Sequence, residues 1–382
     1  MIGTGTPLKG LCAITTMNVI SLEAFWLLPT IVDGLKTDLH LSAPEIGMVS
    51  AVGTAASMIA ALLTKYWVRR FQWPAAARIL LLGTLAINAL WPTYRNYWPA
   101  LLAIQFPLGF LAGSLYSLTL TMISDEERPD RLFGILMAAQ VAFQVTGILS
   151  GPYILHHGGI DSLIAIFAVL NATCIPLTWL LPSRGRRPYV SMPFLAVFSL
   201  PTLLALSGCF FFLINVGAYW TYIYLIGRDI GLGDVQVARS LAAGVSAGLA
   251  GGLAASWCGN RLNRDSLITL GGFLIVLSVA LLIGPTGVWK FVVSCALYNF
   301  AWNFSVAYEY SAVTNVDATG HALAIAPAFH SGGGAAGPAL AALLVTPFGY
   351  ASVFWLAAGG AIASVACFLA STACHRRPAN HA

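Results

Sequence analysis

The chain of 382 residues is 58% hydrophobic and only 9% charged, with a mean hydropathy of +0.80, whereas soluble domains carry roughly 25% charged residues. This excludes a soluble fold, and since a membrane-crossing helix needs about 20 apolar residues, a dozen such helices use most of the length and leave no room for a separate soluble domain. The formal charge of +5 implies no acidic partner once the cations are placed along the chain.

Met1 to Gly10 holds one cation, Lys9. The apolar stretch after it is too long for a signal-peptide core and lacks a small-residue cleavage site, so it is expected to be a retained first span. Windows of about 19 residues predict helices over 11–33, 44–64, 77–94, 98–122, 131–155 and 161–182, then over 196–226, 236–257, 267–288, 291–313, 320–345 and 349–372. Trp91-Pro92, Arg128-Pro129-Asp130 and Gly284-Pro285 mark breaks between them. The expected fold is an all-α membrane protein with twelve transmembrane helices in two six-helix pseudo-symmetric bundles. Residues 1–182 form the N-terminal bundle, 183–195 a cytoplasmic linker and 196–382 the C-terminal bundle.

With the N-terminus inside, Lys9, Lys65, Arg69, Arg70, Arg78, Arg128, Arg131, Arg184, Arg186, Arg187, Arg261, Arg264, Arg376 and Arg377 all fall in cytoplasmic segments. Lys36, Arg95, Arg228, Arg239 and Lys290 fall in or beside outside loops. The excess of inside cations predicts a multi-pass protein of the bacterial inner membrane with both termini cytoplasmic, and it explains the net charge without nucleic acid. The seven cysteines are scattered without the paired spacing of a metal or redox motif.

The two halves resemble one another. Gly147-Ile-Leu-Ser-Gly151-Pro152 and Gly333-Gly-Ala-Ala-Gly337-Pro338 both read G-x-x-x-G-P. Glu23-Ala-Phe-Trp26 pairs with Gly217-Ala-Tyr-Trp220, and Arg70 after the second helix pairs with Arg261 after the eighth. These three offsets predict a six-plus-six repeat. Small residues at four-residue spacing let helices approach closely, and proline weakens the helical ladder, so helices 5 and 11 are expected to pack tightly or bend.

With this organisation the chain resembles the major facilitator superfamily over essentially its whole length. The family's cytoplasmic turn is matched in part by Lys65-Tyr-Trp-Val-Arg-Arg70 and by Gly259-Asn-Arg261-Leu-Asn-Arg264, neither with the family's acidic residue. Gly147 to Pro152 with Gly158-Gly159 resembles the antiporter motif. The resemblance implies secondary transport by alternating access, a central cavity lined by helices 1, 4, 7 and 10, and a slight preference for efflux.

Of 14 acidic residues, twelve lie in loops or at helix ends. Glu23 is the thirteenth residue of its predicted helix, about 18 Å in at 1.5 Å per residue. Glu309 is placed four residues from the end of helix 10. Intramembrane acids are rare and functional by default, so Glu23, then Glu309, and more weakly His330 beside its glycine run, are the proton-coupling candidates. Helical spacing sets Thr16, Glu23, Trp26 and Thr30 on one face, and Tyr298, Trp302, Ser305 and Glu309 on another. Gln105 and Tyr116 on helix 4, and Asn215, Tyr219 and Tyr222 on helix 7, complete the cavity candidates.

No Lys or Arg lies deep in a span, which disfavours multiply charged anions as substrates. No phosphate-binding loop occurs, so no ATP binding is expected, and no catalytic cluster, metal spacing or cofactor motif marks an enzyme. The expected partners are a small neutral or cationic organic molecule, protons and the lipid bilayer. The alternatives are a proton-coupled importer of a small organic nutrient and, from another class, a non-transporting receptor or assembly subunit on the same fold.

Overall fold

A computed structural model describes residues 6–126, 129–185, 199–259, 261–317 and 321–376. Arg128, Arg186, Arg187, Asn260, Arg377 and most of the expected linker lie outside them. Two compact units emerge, one of Met1–Leu41 with Val52–Val190 and one of Ser42–Ala51 with Ser191–Ala382. The described residues form fourteen α-helices and a 3-10 turn at Thr178–Leu180.

The first expected helix is three pieces: α1 (Leu8–Ser21), α2 (Glu23–Trp26) and α3 (Leu28–Thr37). Leu22 (φ −115°, ψ 27°) and Leu27 (φ −101°, ψ 19°) leave the helical region at the joints. α4 (Ala43–Trp67) and α5 (Trp73–Ala89) follow, then the short α6 (Trp91–Tyr94), set off by Pro92, and α7 (Trp98–Ser124).

The fifth and sixth expected helices run together as α8 (Pro129–Leu177), divided at Gly159. Gly159 has φ +62°, which costs a residue with a Cβ about 1–2 kcal/mol, and a Cβ there would lie 2.6 Å from Asp38 Oδ2. The carboxylate instead accepts the Ile160 amide at 2.5 Å. Apart from Gly159, α8 keeps helical backbone angles, with Pro152 and Pro176 inside it. α4, α5, α7 and α8, together with α1, surround a core that includes Ile14, Met17, Leu81, Leu118 and Met122.

The second unit holds α9 (Leu200–Asp229), α10 (Asp234–Cys258), α11 (Arg264–Ala280), α12 (Val288–Val316), α13 (His321–Phe348) and α14 (Ala351–Arg376). Ser199 caps α9 by accepting the Thr202 amide, and Asn263 caps α11 by accepting that of Asp265. Leu206, Cys209, Phe304, Val313 and Phe368 belong to its core. Residues 42–51, the start of α4, join this unit because Ala43 O accepts from Tyr222 Oη at 2.9 Å and Ser50 lies 3.2 Å from Thr221.

Seven helices among the described residues are long and apolar enough to cross a membrane, α8 being counted once. Two shorter apolar ones are Leu8–Ser21 and Trp73–Ala89.

Both glycine pairs serve close approach. A Cβ on Gly333 would stand 2.0 Å from Phe210 O, and one on Gly337 2.3 Å from Ile214 O, so α13 lies against the backbone of α9. In the first unit Gly147 meets the Leu27 side chain and Gly151 that of Thr30, which brings α8 against α2–α3 through side chains and not through backbone.

This register corrects one sequence pairing. The contacts align Leu27 with Phe210–Ile214 and Thr30 with Ile214–Ala218, an offset of about 186, the same as between the glycine pairs. The match of Glu23 to Gly217 is therefore about two turns out of register. Gly217 instead lets α9 approach Gly334 and Pro338, and the position equivalent to Glu23 is Cys209.

Candidate functional site

In the first unit the break in the opening helix sets Glu23 at the start of α2, where its side chain is buried. Glu23 Oε1 accepts a 2.7 Å hydrogen bond from Asn171 Nδ2 on α8. Glu23 Oε2 and Trp26 Nε1, three residues on, are buried without a hydrogen-bond partner. Thr30 is buried against Gly151, whereas Thr16, seven residues before Glu23, is exposed. The expected four-residue stripe is thus interrupted where the helix breaks.

Gln105 and Tyr116 are half-buried on α7. Close by in sequence, but unsuspected from it, lies a fully buried polar network. Asn18 Nδ2 donates to Thr119 Oγ1 at 2.8 Å, and Gln140 Nε2 donates to Asn18 Oδ1 at 2.9 Å, tying α1, α7 and α8 together. Ser114 Oγ on α7 is buried and unpartnered.

In the second unit Tyr219 and Tyr298 are wholly buried and stacked, with ring centroids 3.6 Å apart and planes 10° from parallel. Tyr298 Oη donates to Asn215 Oδ1 at 2.7 Å, which leaves Asn215 Nδ2 unpartnered. Trp302 stands edge-on to Trp220, and Tyr222 is engaged with Ala43 as described. Ser305 Oγ is buried and unpartnered, facing the position a Cβ on Gly271 would take. In this structure Tyr219, Tyr222 and Tyr298 thus have interior partners.

Glu309 is more deeply enclosed than its sequence position suggests. α12 runs to Val316, so the residue stands seven, not four, from the helix end, and its side chain is 2% exposed. Its Oε2 lies 3.1 Å from His330 Nε2 on α13, while His330 Nδ1 lies 2.9 Å from Tyr310 Oη. Cys209 on α9 completes this group; one ligating atom from each of Cys209, Glu309 and His330 lies within 4.8 Å of the others. Two expected candidates therefore meet, with a cysteine that sequence spacing gave no reason to choose.

At the helix-2/3 turn the ion pair is made by Arg69, whose guanidinium donates to both carboxylate oxygens of Asp125, at 2.9 and 2.8 Å. Arg70 is exposed. In the second unit Arg261 covers the Trp257 ring at 5.4 Å. Arg264 opens α11 and lines a cavity of about 370 Å³ with Ala255, Tyr308 and Ser311.

Two units of long apolar helices, each with buried polar groups, define a polytopic membrane protein. Residues 12–317 match the sequence pattern of the Major Facilitator Superfamily, and the chain belongs to that family. No curated protein matches the sequence. Among solved structures, the nucleoside transporter NupG is similar with a TM-score of 0.76 at 14% identity, covering 95% of this chain and 98% of that one. The D-xylose-proton symporter gives 0.73 at 14% identity over 95% and 96%. A bacterial homologue of the human lysosomal transporter Spinster, inward-facing and unoccupied, gives 0.69 at 13% identity over 96% and 95%.

Proposed function

We propose that the chain is a secondary active transporter that crosses the bacterial inner membrane twelve times, with both termini cytoplasmic, and moves a small neutral or cationic organic molecule by alternating access. On this reading α1–α3 make one crossing and α8 makes two, divided at Gly159. The two halves are the N- and C-terminal bundles expected from sequence.

We assign the coupling proton to Glu23. The observation that carries this is the division of labour between its oxygens: Oε1 is held by Asn171 and Oε2 has no partner. An amide N–H can donate to a carboxylate and, more weakly, to the carbonyl oxygen of a neutral acid, so the free oxygen can gain or lose a proton while the Asn171 bond persists. A charged carboxylate at a helix centre costs about 2.5–3.5 kcal/mol on insertion scales, which favours the protonated form when the site is dry and the charged form when water enters. The helix break beside it follows a pattern in which discontinuous helices form transporter sites.

The unpartnered donor of Trp26 suits a substrate bearing a hydrogen-bond acceptor, and a sequence with no Lys or Arg deep in its predicted spans suits a neutral or cationic one. Export is preferred on the resemblance of the α8 glycine segment to the antiporter motif. Import is the second reading, favoured by the likeness in fold to a nucleoside transporter and a sugar-proton symporter.

The experiment uses proteoliposomes and a compound selected by thermal stabilisation of the purified chain. Glu23→Gln should fold and sustain substrate exchange, since exchange needs only the loaded carrier to reorient, yet lose accumulation driven by a pH gradient. Intact pH-driven accumulation in this variant removes Glu23 from the mechanism. Gradients of both signs in the wild type distinguish export from import.

A further inference from the structure

The group in the second bundle has a composition that proton coupling does not require. Cys209 comes from α9, Glu309 from α12 and His330 from α13, so one sulfur, one oxygen and one nitrogen converge from three helices. All three residues are buried, and the imidazole keeps the largest exposed edge, 11% of its side chain. We propose that Cys209, Glu309 and His330 form a binding site for a zinc-class divalent cation, which would clamp α9, α12 and α13 together.

Four features support this. Thiolate, imidazole and carboxylate are the ligand types that zinc takes, at about 2.0–2.3 Å, usually with tetrahedral geometry. An edge of such a tetrahedron is about 3.3 Å between nitrogen and oxygen ligands, close to the 3.1 Å between His330 Nε2 and Glu309 Oε2. The sulfur needs to move in by about an ångström at most from the 4.8 Å limit. Second, Tyr310 Oη stands at His330 Nδ1. With the proton on Nδ1 donated to that oxygen, Nε2 turns its lone pair inward, the outer-shell arrangement that metal-bound histidines almost always show.

Third, in that tautomer two lone-pair atoms, Nε2 and Oε2, face each other at contact distance and can share a proton or a metal ion; in the other tautomer Nε2–H donates to Oε2 and Tyr310 Oη donates to Nδ1, and a metal ion displaces that proton. Fourth, charge balances: thiolate and carboxylate neutralise a divalent ion beside a neutral imidazole, so the loaded site carries no net charge into a low-dielectric interior, where a net charge is costly. Binding exchanges the ion for the thiol proton and for any proton bridging Glu309 and His330, which leave to solvent. Three protein ligands leave a fourth position for water. Linear spacing hides the site because its members come from three different helices and Cys209 lies about a hundred residues before the other two.

The test uses the full-length purified chain with Zn²⁺ or Cd²⁺ alone. Wild type should bind one Cd²⁺ per chain with a thiolate-to-metal absorption band in the ultraviolet. Cys209→Ser should abolish the band, and His330→Asn should weaken binding at least tenfold. Tyr310→Phe should weaken it about tenfold or more, while Cys367→Ser and Cys374→Ser leave it unchanged. X-ray absorption of the wild type with one equivalent of Zn²⁺ needs no variant and should show one sulfur ligand near 2.3 Å. Failure of the wild type to bind, no sulfur or more than one around zinc, or a band surviving Cys209→Ser overturns the site and leaves a proton-bridged Glu309–His330 pair.

Discussion

Replacing Gly333 by alanine tests whether the repeated glycine segments act by backbone-to-backbone packing. Its Cβ would stand 2.0 Å from Phe210 O, 2.9 Å from that carbonyl carbon and 3.1 Å from Ile214 N. Real Cβ atoms essentially never approach inside 3.0 Å, and a helix backbone cannot rotate away as a side chain can. α13 must therefore withdraw from α9 by about 1 Å, and a gap of that size forfeits a quarter to a half of the attraction at each neighbouring contact. Overpacking of this kind costs about 1–3 kcal/mol, and a rigid neighbour puts it near the upper end. Alanine regains about 1 kcal/mol of helix propensity, for a net loss of about 2 kcal/mol. Gly359→Ala on α14 is the control, because no atom lies within 4 Å of its added Cβ; it should be neutral or stabilising by up to about 1 kcal/mol. Gly147→Ala should fall between, since its closest neighbour is the flexible Leu27 side chain, Cδ2 at 2.3 Å, and an off-rotamer shift costs about 0.5–1.5 kcal/mol. Thermal unfolding in detergent, followed by tryptophan fluorescence, gives the order. Equal melting temperatures for Gly333→Ala and Gly359→Ala would refute the reasoning.

Gly159→Ala should destabilise by about 1–2 kcal/mol from its positive φ, and by more from its approach to Asp38; an unchanged melting temperature would show that the chain turns there by another conformation. Asn18→Leu removes the residue that joins Thr119 and Gln140; Thr119 Oγ1 keeps its donation to Tyr116 O, and Gln140 Nε2 loses its acceptor, at about 1–3 kcal/mol; a fully stable variant would discount the network. Asn171→Ala deprives Glu23 of its one hydrogen-bond partner and should impair gradient-driven transport more than exchange, with equal losses pointing to a packing role. Reporter fusions after Pro182 and at Ala382 should both register the cytoplasm, and an outside signal at either overturns the proposed topology.

The apolar segments were legible because the bilayer imposes a length, and the glycine segments because close helix approach needs small residues at four-residue spacing. The break in the first helix was hidden: Leu22 and Leu27, the residues that leave the helical region, are good helix formers, so propensity argues against interruption there. Gly159 lies between the predicted helices over 131–155 and 161–182, and its non-helical backbone divides α8 there into two helices. Glu309 stands deeper than the predicted helix end at 313 implies, because α12 continues through Thr314 and Asn315 to Val316. The Asn18–Thr119–Gln140 network was invisible for the reason the Cys209 group was: its members come from different helices, and helical periodicity reports which face a residue occupies but not what meets it. Aromatic stripes suffer the same ambiguity, and the stacked pair of Tyr219 and Tyr298 shows that an aromatic side chain on a supposed cavity helix can be fully engaged with a neighbour.

The repeat register gives the two acids different meanings. With an offset of about 186 set by the glycine contacts, Cys209 occupies in α9 the position that Glu23 occupies in the first helix, and His330 occupies in α13 that of Gln144 in α8. The first bundle therefore carries its carboxyl on the helix that breaks, satisfied by one asparagine and open on its second oxygen. The second bundle has a thiol at that equivalent position and takes its carboxyl from α12, satisfied by a histidine that a tyrosine orients. A group meant to exchange a proton with passing water gains from an unpartnered oxygen, and a group enclosed by ligating atoms on three helices does not. On the two proposals, proton exchange belongs to the half with the discontinuous helix and ion binding to the half where α9 is continuous, so the two should fail separately: Glu23→Gln should leave Cd²⁺ binding intact, and Cys209→Ser should leave the pH-driven step intact.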